Sequence, residues 1–512
     1  MNELPRQKLR EVVARHGREV ARDARRVEGL LRDHSGGHRR EVSALVAALE
    51  EHVPADMLDA PADTPREVVL ARMARRLADN RALSESAARW SVNSWALALG
   101  LISEDELRDI ERRDAPSEDA ATSPAEGGPA DDERAARTSS ATPSAARTGG
   151  PAVVVSARGD GDFTSIAEAV RHAAPGARLL VRPGQYADGI VLDKQVEIVG
   201  DGPREQIVVE CAGASCLQMQ TESARVAGLT LRASARDGAA FFAVDIPRGR
   251  LLLEDCDISS ETLSCVAAHG PAAAPLVRRC HVHGGADSGL YFFDEATGTV
   301  EDCRIYENAN VGVAVTGRAS VNITRSRIHD GASAGVVAWQ EGVCLVEDSD
   351  IYANRLAGLG VSEGAKLTAR SCRVYEGENS GVFVHREGEA VLEGCDLHGH
   401  RNAEAAVTTR GRLFLDGCRV RRGRDSGVFL RDEGQALLKD CDVSEHADSG
   451  ATVGAGSVLA VLSSRVNGNA RFAVRVAEGA TARVEDSDLS GNGLGAWDTE
   501  RGANVEAERN SE

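Results

Sequence analysis

Aromatic residues are scarce in this chain: Phe, Trp and Tyr together make up 4% of its 512 residues. A core built on large rings is excluded, so any grouping of rings is informative. No run of 18 apolar residues occurs, which argues against a membrane-spanning helix. The first residues, Met-Asn-Glu-Leu-Pro-Arg-Gln-Lys, are charged and lack the apolar stretch that directs export. No Cys-x-x-Cys pair is present, the usual sign of a structural zinc or a redox dithiol. A cationic excess is missing as well. The 60 Lys and Arg face 79 Asp and Glu, for a net charge of −19, which disfavours nucleic-acid binding. The expectation is a cytoplasmic protein with no membrane or nucleic-acid partner, no metal and no cofactor.

What is present is a repeat. Cys256 is followed by Cys280, Cys303, Ser326, Ser349, Cys372, Cys395, Cys418, Cys441, Ser464 and Ser487. The first gap is 24 residues and every later one is 23. Three residues before each Cys/Ser stands an apolar residue, as in Val300, Ile323 and Val346; two after it stands another, as in Ile305, Ile328 and Ile351. A second phrase opens at a recurrent Gly (Gly289, Gly312, Gly335, Gly358, Gly381, Gly427, Gly450) and runs apolar-x-apolar. Short alternating strands between Gly, Asn and Asp turns, with no helix-length pattern among them, describe one coil of a stacked solenoid. The fold class expected is mainly β, a parallel β-helix of about a dozen 23-residue coils rising about 4.8 Å each, preceded by a small all-α domain. Seven of the eleven cysteines occupy the one inward position and read as small core residues.

Residues 1–112 have helical periodicity, with apolar stripes Leu9, Val12, Val13, His16 and Val42, Leu45, Val46, Leu49. Ser84 suits an N-cap for the helix carrying Trp90 and Trp95, which ends at Gly100. The pairs Arg25-Arg26, Arg39-Arg40 and Arg75-Arg76 lie among acids and read as a solvated face. Residues 113–150, rich in Ala, Ser, Thr, Pro, Glu and Asp, form a flexible linker. Residues 151–498 form the β-helix. Ser165 and Glu168 make a capping box for a short helix with Ile166, Ala169 and Val170 on its apolar face, suited to cover the first coil. Trp497 is the last inward position, and 499–512 form a disordered tail.

The segment Ala157-Arg-Gly-Asp-Gly-Asp-Phe-Thr-Ser-Ile-Ala-Glu-Ala-Val170, then Leu179-Leu-Val-Arg-Pro-Gly-Gln-Tyr186 and Val196-Glu-Ile-Val-Gly-Asp-Gly202, resembles the opening of the pectin-lyase-like superfamily. The later coils are similar to the right-handed β-helix repeats of bacterial periplasmic copper-maturation proteins and of certain eukaryotic F-box receptors. Residues 72–100 resemble a helical module set beside varied domains in multidomain bacterial proteins. The resemblance implies a right-handed fold and not a reaction. The Gln-Asp-Thr, Asp-Phe-Ile-Phe-Gly and Gly-Arg-Pro-Trp segments of pectinesterases are missing, and the β-helix region has neither the Gly-His-Gly nor the Arg-x-Lys of polygalacturonases. The one Asp-Asp, Asp131-Asp132, falls in the linker. A calcium site of the pectate lyase kind is disfavoured by a largely apolar outward column.

No catalytic residue is therefore assigned. Two carboxylate sets offer an acid–base pair. Glu254-Asp255, Glu301-Asp302, Glu347-Asp348 and Glu485-Asp486 alternate with arginines and read as register-holding charges. Asp294-Glu295, Glu341, Glu363, Glu387 and Asp432-Glu433 follow the Gly phrase. For ligand binding, the column His283, Tyr306, His329, Tyr352, Tyr375, His398 points outward and holds three of the five tyrosines. It spans five steps, roughly 24 Å, which suits an extended glycan or peptide. A second surface carries Tyr291, Trp339, Phe383, His385, Phe429 and Arg431. The favoured function is a non-catalytic recognition scaffold for a protein or polysaccharide, with the helical domain as adaptor. A carbohydrate-active enzyme (lyase, hydrolase or epimerase) is the first alternative and a structural assembly unit the second. The oligomeric state is left open.

Overall fold

In a computed structural model the chain forms two compact units, Met1–Gly149 and Gly150–Glu512. Residues 3–16, 39–50, 53–58, 85–103, 152–236 and 240–512 are described, with isolated positions 20, 27, 31, 70, 73, 74, 77 and 107. Ser84, Arg25-Arg26, Arg75-Arg76 and the linker 113–150 lie outside the described residues.

In the first unit, helices α1 (Glu3–His16), α2 (Arg39–Glu50), α3 (Val53–Leu58) and α4 (Glu85–Ala98) enclose an apolar core. Leu9, Val13, Val42, Leu45 and Leu49 are buried, as their helical spacing requires. Trp95 is fully buried, and its indole N–H donates to the Leu45 carbonyl at 2.8 Å, so its one polar atom is satisfied. At the end of α4, Gly100 takes a left-handed φ of +68°, and the Leu101 N–H reaches back to Ala96 O at 2.9 Å. That is the αL stop that glycine makes cheap.

The second unit is a parallel β-solenoid of about 15 coils. Its three sheets hold 16, 13 and 14 strands, here sheets A, B and C. One coil shows the logic. Val343–Glu347 lies in sheet A, Asp350–Tyr352 in B, Leu359–Val361 in C, and Lys366–Arg370 returns to A. Each strand pairs in register with its successor, as in Val346↔Ala369, Ile351↔Val374 and Val361↔Val384. All of these are buried. Like side chains thus stack on like, and each buried Val or Ile contributes about 1.5–3 kcal/mol. The coils outnumber the dozen expected because those before Leu251 lack the 23-residue period.

The Cys/Ser position turns the chain from sheet A to B. Its small polar atom satisfies the bend: Ser326 Oγ donates to Thr324 O at 2.9 Å and accepts the Cys303 N–H at 3.1 Å. The recurrent Gly opening sheet C is set by close approach. A Cβ on Gly358 would lie 2.4 Å from Val374 Cγ1 and 2.8 Å from Gly381 O. Helix α5 (Ile166–His172) is capped by Ser165 Oγ, which accepts the Glu168 N–H at 3.1 Å. It buries Ile166, Ala169 and Val170 in the solenoid core, closing the first coil.

Residues 499–512 differ from the disordered tail expected. Asn504–Glu508 extends sheet A, paired with Thr481–Glu485. Ala503 and Val505 pack on the core, Arg509 Nε donates to Asp486 Oδ1 at 2.6 Å, and Asn510 Nδ2 donates to Val484 O at 2.8 Å. The repeat grammar persists there beneath a polar composition. Trp497 pairs with Val474 and packs on the core, with this last coil continuing beyond it.

Candidate functional site

Sheet B places the six residues His283 to His398 in one unbroken outward stack. Successive ring centroids lie 4.9, 5.5, 4.6, 4.9 and 5.1 Å apart, with planes within 14° of parallel. Coil spacing fixes this, since rings in register one rung apart can only stack. The faces are spent on one another, so the column shows solvent mainly ring edges; His329 at its middle is buried, with Nδ1 on Asp330 and Nε2 without a hydrogen-bond partner. Asp257 sits at one end, 3.2 Å from His283 Nε2. Its burial raises its pKa, but the His283 hydrogen bond and nearby Arg204 outweigh this and lower it. At the other end Arg421 pairs with Asp396 at 2.7 Å. Burial pushes the His398 imidazole down and the Tyr306 and Tyr375 phenols up.

Sheet C carries the second surface, and the structure divides it. Tyr291 stacks on Phe293 at 4.5 Å and lies parallel to Trp339 at 6.4 Å; His269 stacks on Phe293 at 4.9 Å. Tyr291 and Trp339 rest on an apolar cluster outside the main core, built from Val311, Ala314, Ala334 and Val337. His269 is oriented by Asp245, 2.9 Å from its Nε2. Phe383 stacks instead on His385 at 4.7 Å, four coils from Tyr291. Phe429 lies two coils further, and Arg431 pairs with Asp432 at 3.5 Å. His269 escaped sequence reasoning, although counting the 24-residue repeat back from Phe293 lands on it, and the two are in register.

Directly after these rings the chain turns from sheet C to A through two consecutive left-handed residues, as in Asp294-Glu295 (φ 51° and 66°) and Gln340-Glu341 (φ 49° and 61°). Stacked turns form an open groove of about 720 Å³ lined by Pro271, Asp294, Glu295, Gly317, Arg318, Gln340, Glu341 and Glu363. Arg318 pairs with Glu295, and Arg386 lies 3.5 Å from Glu363. Glu341 has no ion pair among the described residues, while its N–H donates to Glu363 O at 3.1 Å. Glu387, from the same sequence set, is tied to Arg410 at 2.9 Å. Arg318 and Gln340 were not singled out from sequence, because nothing in the repeat marks them.

The other carboxylate set is a charge ladder. Asp255 pairs with Arg279 at 2.8 Å, Asp302 with Arg325 at 2.9 Å, and Arg370 bridges Glu347 and Glu393. Glu254 is buried, which raises its pKa, yet hydrogen bonds from Arg225, Arg278 and Arg279 outweigh the burial and hold it at about 2. These acids are engaged along the stack. Among the described residues, no group of three His, Cys, Asp or Glu is arranged to hold a metal ion, and no helix is long and apolar enough to cross a membrane.

A family model described as a right handed beta helix region matches residues 215–368, 265–413 and 357–511, together more than half of the chain. The chain belongs to this family. No curated protein matches it in sequence. Among solved structures it is similar to a periplasmic alginate epimerase, AlgG, at 14% identity over 64% of this chain and 78% of that one, with a TM-score of 0.42. The A-module of the Azotobacter vinelandii mannuronan C-5 epimerase AlgE6 is 15% identical over 67% of this chain and 92% of its own, with a TM-score of 0.37. Pectin methylesterase PemA from Erwinia chrysanthemi is 15% identical over 40% and 80%, with a TM-score of 0.32. Likeness of this size describes the path of the chain and transfers no residue or reaction. The cytoplasmic location expected from sequence is corrected here. The alginate epimerase AlgG is a periplasmic protein, and eleven free, buried cysteines serve as packing whatever the compartment.

Proposed function

We propose that this β-helix is a carbohydrate-active protein that holds an extended polysaccharide across the turns between sheets C and A and acts on it by acid–base chemistry. The observation that carries this reading is adjacency. The ring platform of His269, Tyr291, Phe293 and Trp339 leads without interruption into the acidic groove. His269, Phe293 and Tyr291 stack on one another, so the wider-spaced Trp339 ring and the ring edges are what suit the apolar face of a sugar, and carboxylates, a guanidinium and an amide suit its hydroxyls. Glu341 and Glu363 come from adjacent coils, about 4.8 Å apart along the axis, and are the pair the groove offers as acid and base. Four carboxylates against one guanidinium leave the lining net negative, which favours a neutral or amino-bearing glycan over a polyuronide. The test is a panel of neutral, amino and uronic polysaccharides assayed for new ends or altered sugars. Turnover that disappears in both Glu341→Gln and Glu363→Gln supports the reading; turnover indifferent to both rejects it.

A second reading, non-catalytic recognition, rests on the sheet B stack, whose Tyr hydroxyls and His nitrogens recur at every coil from His283 to His398. It predicts binding without turnover, lost on substitution of Tyr352 or Tyr375. The helical unit as adaptor belongs to this reading too.

A further inference from the structure

The outermost column of sheet B, one strand position before each inward residue, alternates in charge over its later coils and not over its earlier ones. From Asp350 onward it runs Asp, Arg373, Asp396, Arg419, Asp442, Arg465. Each Asp is taken by an arginine: Asp350 by Arg373 (2.6 Å), Asp396 by Arg421 and Arg419 (2.7 and 3.7 Å), Asp442 by Arg465 (2.8 Å). Below Asp350 the alternation fails. Arg304 and Arg327 are in register on adjacent strands, both exposed.

Like charges directly opposed in a ladder are destabilising, and nothing relieves this pair from within. Among the described residues neither arginine makes an ion pair. The one contact of Arg304 is its guanidinium over the Tyr306 ring at 5.6 Å. Three neighbouring acids are spoken for. Asp350 receives both Nε and Nη2 of Arg373, Asp257 faces His283 and His281, and Asp330 is bound to His329 Nδ1 at 2.6 Å. The alternation holds from Asp350 onward and is broken below it, where Arg304 lies between Arg327 and His281, and such breaks concentrate where function overrides stability.

We propose that Arg304 and Arg327 form a binding step for a tetrahedral oxyanion, a sulfate or phosphate monoester carried by a ligand lying on sheet B. A carboxylate is satisfied by one guanidinium fork. Two forks about 4.8 Å apart on successive coils instead offer up to four charge-assisted bonds to one tetrahedral group. The site is separate from the groove on sheet C and stands whether or not the reading of that groove holds.

The test is calorimetric titration of the whole protein at fixed ionic strength with inorganic phosphate and inorganic sulfate. Saturable binding that falls at least tenfold in Arg304→Gln and in Arg327→Gln, and is unchanged in Arg419→Gln from the same column, supports the proposal. Binding of phosphate alone names a phosphate monoester; binding of both extends the ligand to sulfate esters. Loss in Arg419→Gln equal to that in Arg304→Gln overturns it, as does the absence of saturable binding. Arg304→Asp restores the alternation, so it is expected to abolish binding while leaving the urea midpoint unchanged or higher. A midpoint that falls sharply in Arg304→Asp contradicts the claim that the pair is held against its own repulsion.

Discussion

The imidazole of His446 stands over Gly423, whose N–H donates to its Nδ1 at 3.1 Å, while Nε2 donates to the Val420 carbonyl at 2.9 Å. An amide proton fills Nδ1, so the ring is held neutral and in one tautomer. Asn354 makes the same two bonds in its own coil, accepting from Gly331 N–H at 3.1 Å and donating to Ile328 O at 3.2 Å. The histidine therefore does an asparagine's work with a group that titrates.

That substitution sets a pH dependence. Burial pushes the His446 pKa below 6.5, outweighing the Val420 hydrogen bond and the attraction of Glu404, Asp425 and Glu445. The neutral ring is the folded form, so its contribution is full above pH 6.5. It is lost as pH falls from 6.5 through the lower folded-state value, at about 1.4 kcal/mol per unit of depression. His446→Asn should lie within about 1 kcal/mol of the wild type at pH 7.5 and lose less stability on acidification. Urea midpoints measured across pH 4.5–7.5 decide it, and parallel curves would contradict it.

Glu404 occupies the position where neighbouring coils have Gly381 and Gly427, and it is fully buried. Its carboxylate accepts the His400 N–H at 2.9 Å and pairs with His400 Nδ1. Removing one partner of a buried pair costs about 3–5 kcal/mol, so Glu404→Ala should destabilise by that order. The double change His400→Asn with Glu404→Gly rebuilds the Asn354/Gly358 arrangement and should recover most of the loss. Additive single effects in a double-mutant cycle would contradict this coupling.

All eleven cysteines are buried and free, and burial alone pushes the Cys344 thiol up to about 12. None should react with a thiol reagent in the native state, and all eleven should react in urea. Cys395→Ser should cost no more than about 1 kcal/mol, because Ser326, Ser349 and Ser464 already fill this position with complete hydrogen bonds. A fast-reacting native thiol at any ladder position would contradict the packing role.

Gly358→Ala should destabilise by about 1–3 kcal/mol, since its Cβ would press on Val374 and on the Gly381 carbonyl. Gly394→Asn should be nearly neutral. Gly394 has φ +61° with nothing within 4 Å, and the same turn position elsewhere accepts Asp302 and Arg325 at similar φ. Equal losses at the two glycines would undo this distinction.

The coil was legible in sequence because its three sheets repeat a one-dimensional pattern. Apolar spacing around Cys/Ser and the recurrent Gly fixed strands, register and inward columns, and the ring stack from His283 to His398 followed from period alone. Two features were hidden. The tail's last coil was masked by the polar composition of residues 499–512, since a terminal strand needs only Ala503 and Val505 on the core. The groove was hidden as a groove, although its carboxylates Asp294, Glu295, Glu341 and Glu363 stood out in sequence, because Arg318 and Gln340 join them by turn geometry and not by period.

The central claim is that a glycan lies on sheet C beside Trp339. Its most direct test is calorimetric binding of the panel glycan that gives the strongest signal, comparing wild type with Trp339→Ala and Tyr352→Ala. The account predicts at least a tenfold loss of affinity in Trp339→Ala and none in Tyr352→Ala. Retained affinity in Trp339→Ala, with loss in Tyr352→Ala, would contradict it and move recognition to the ring stack of sheet B.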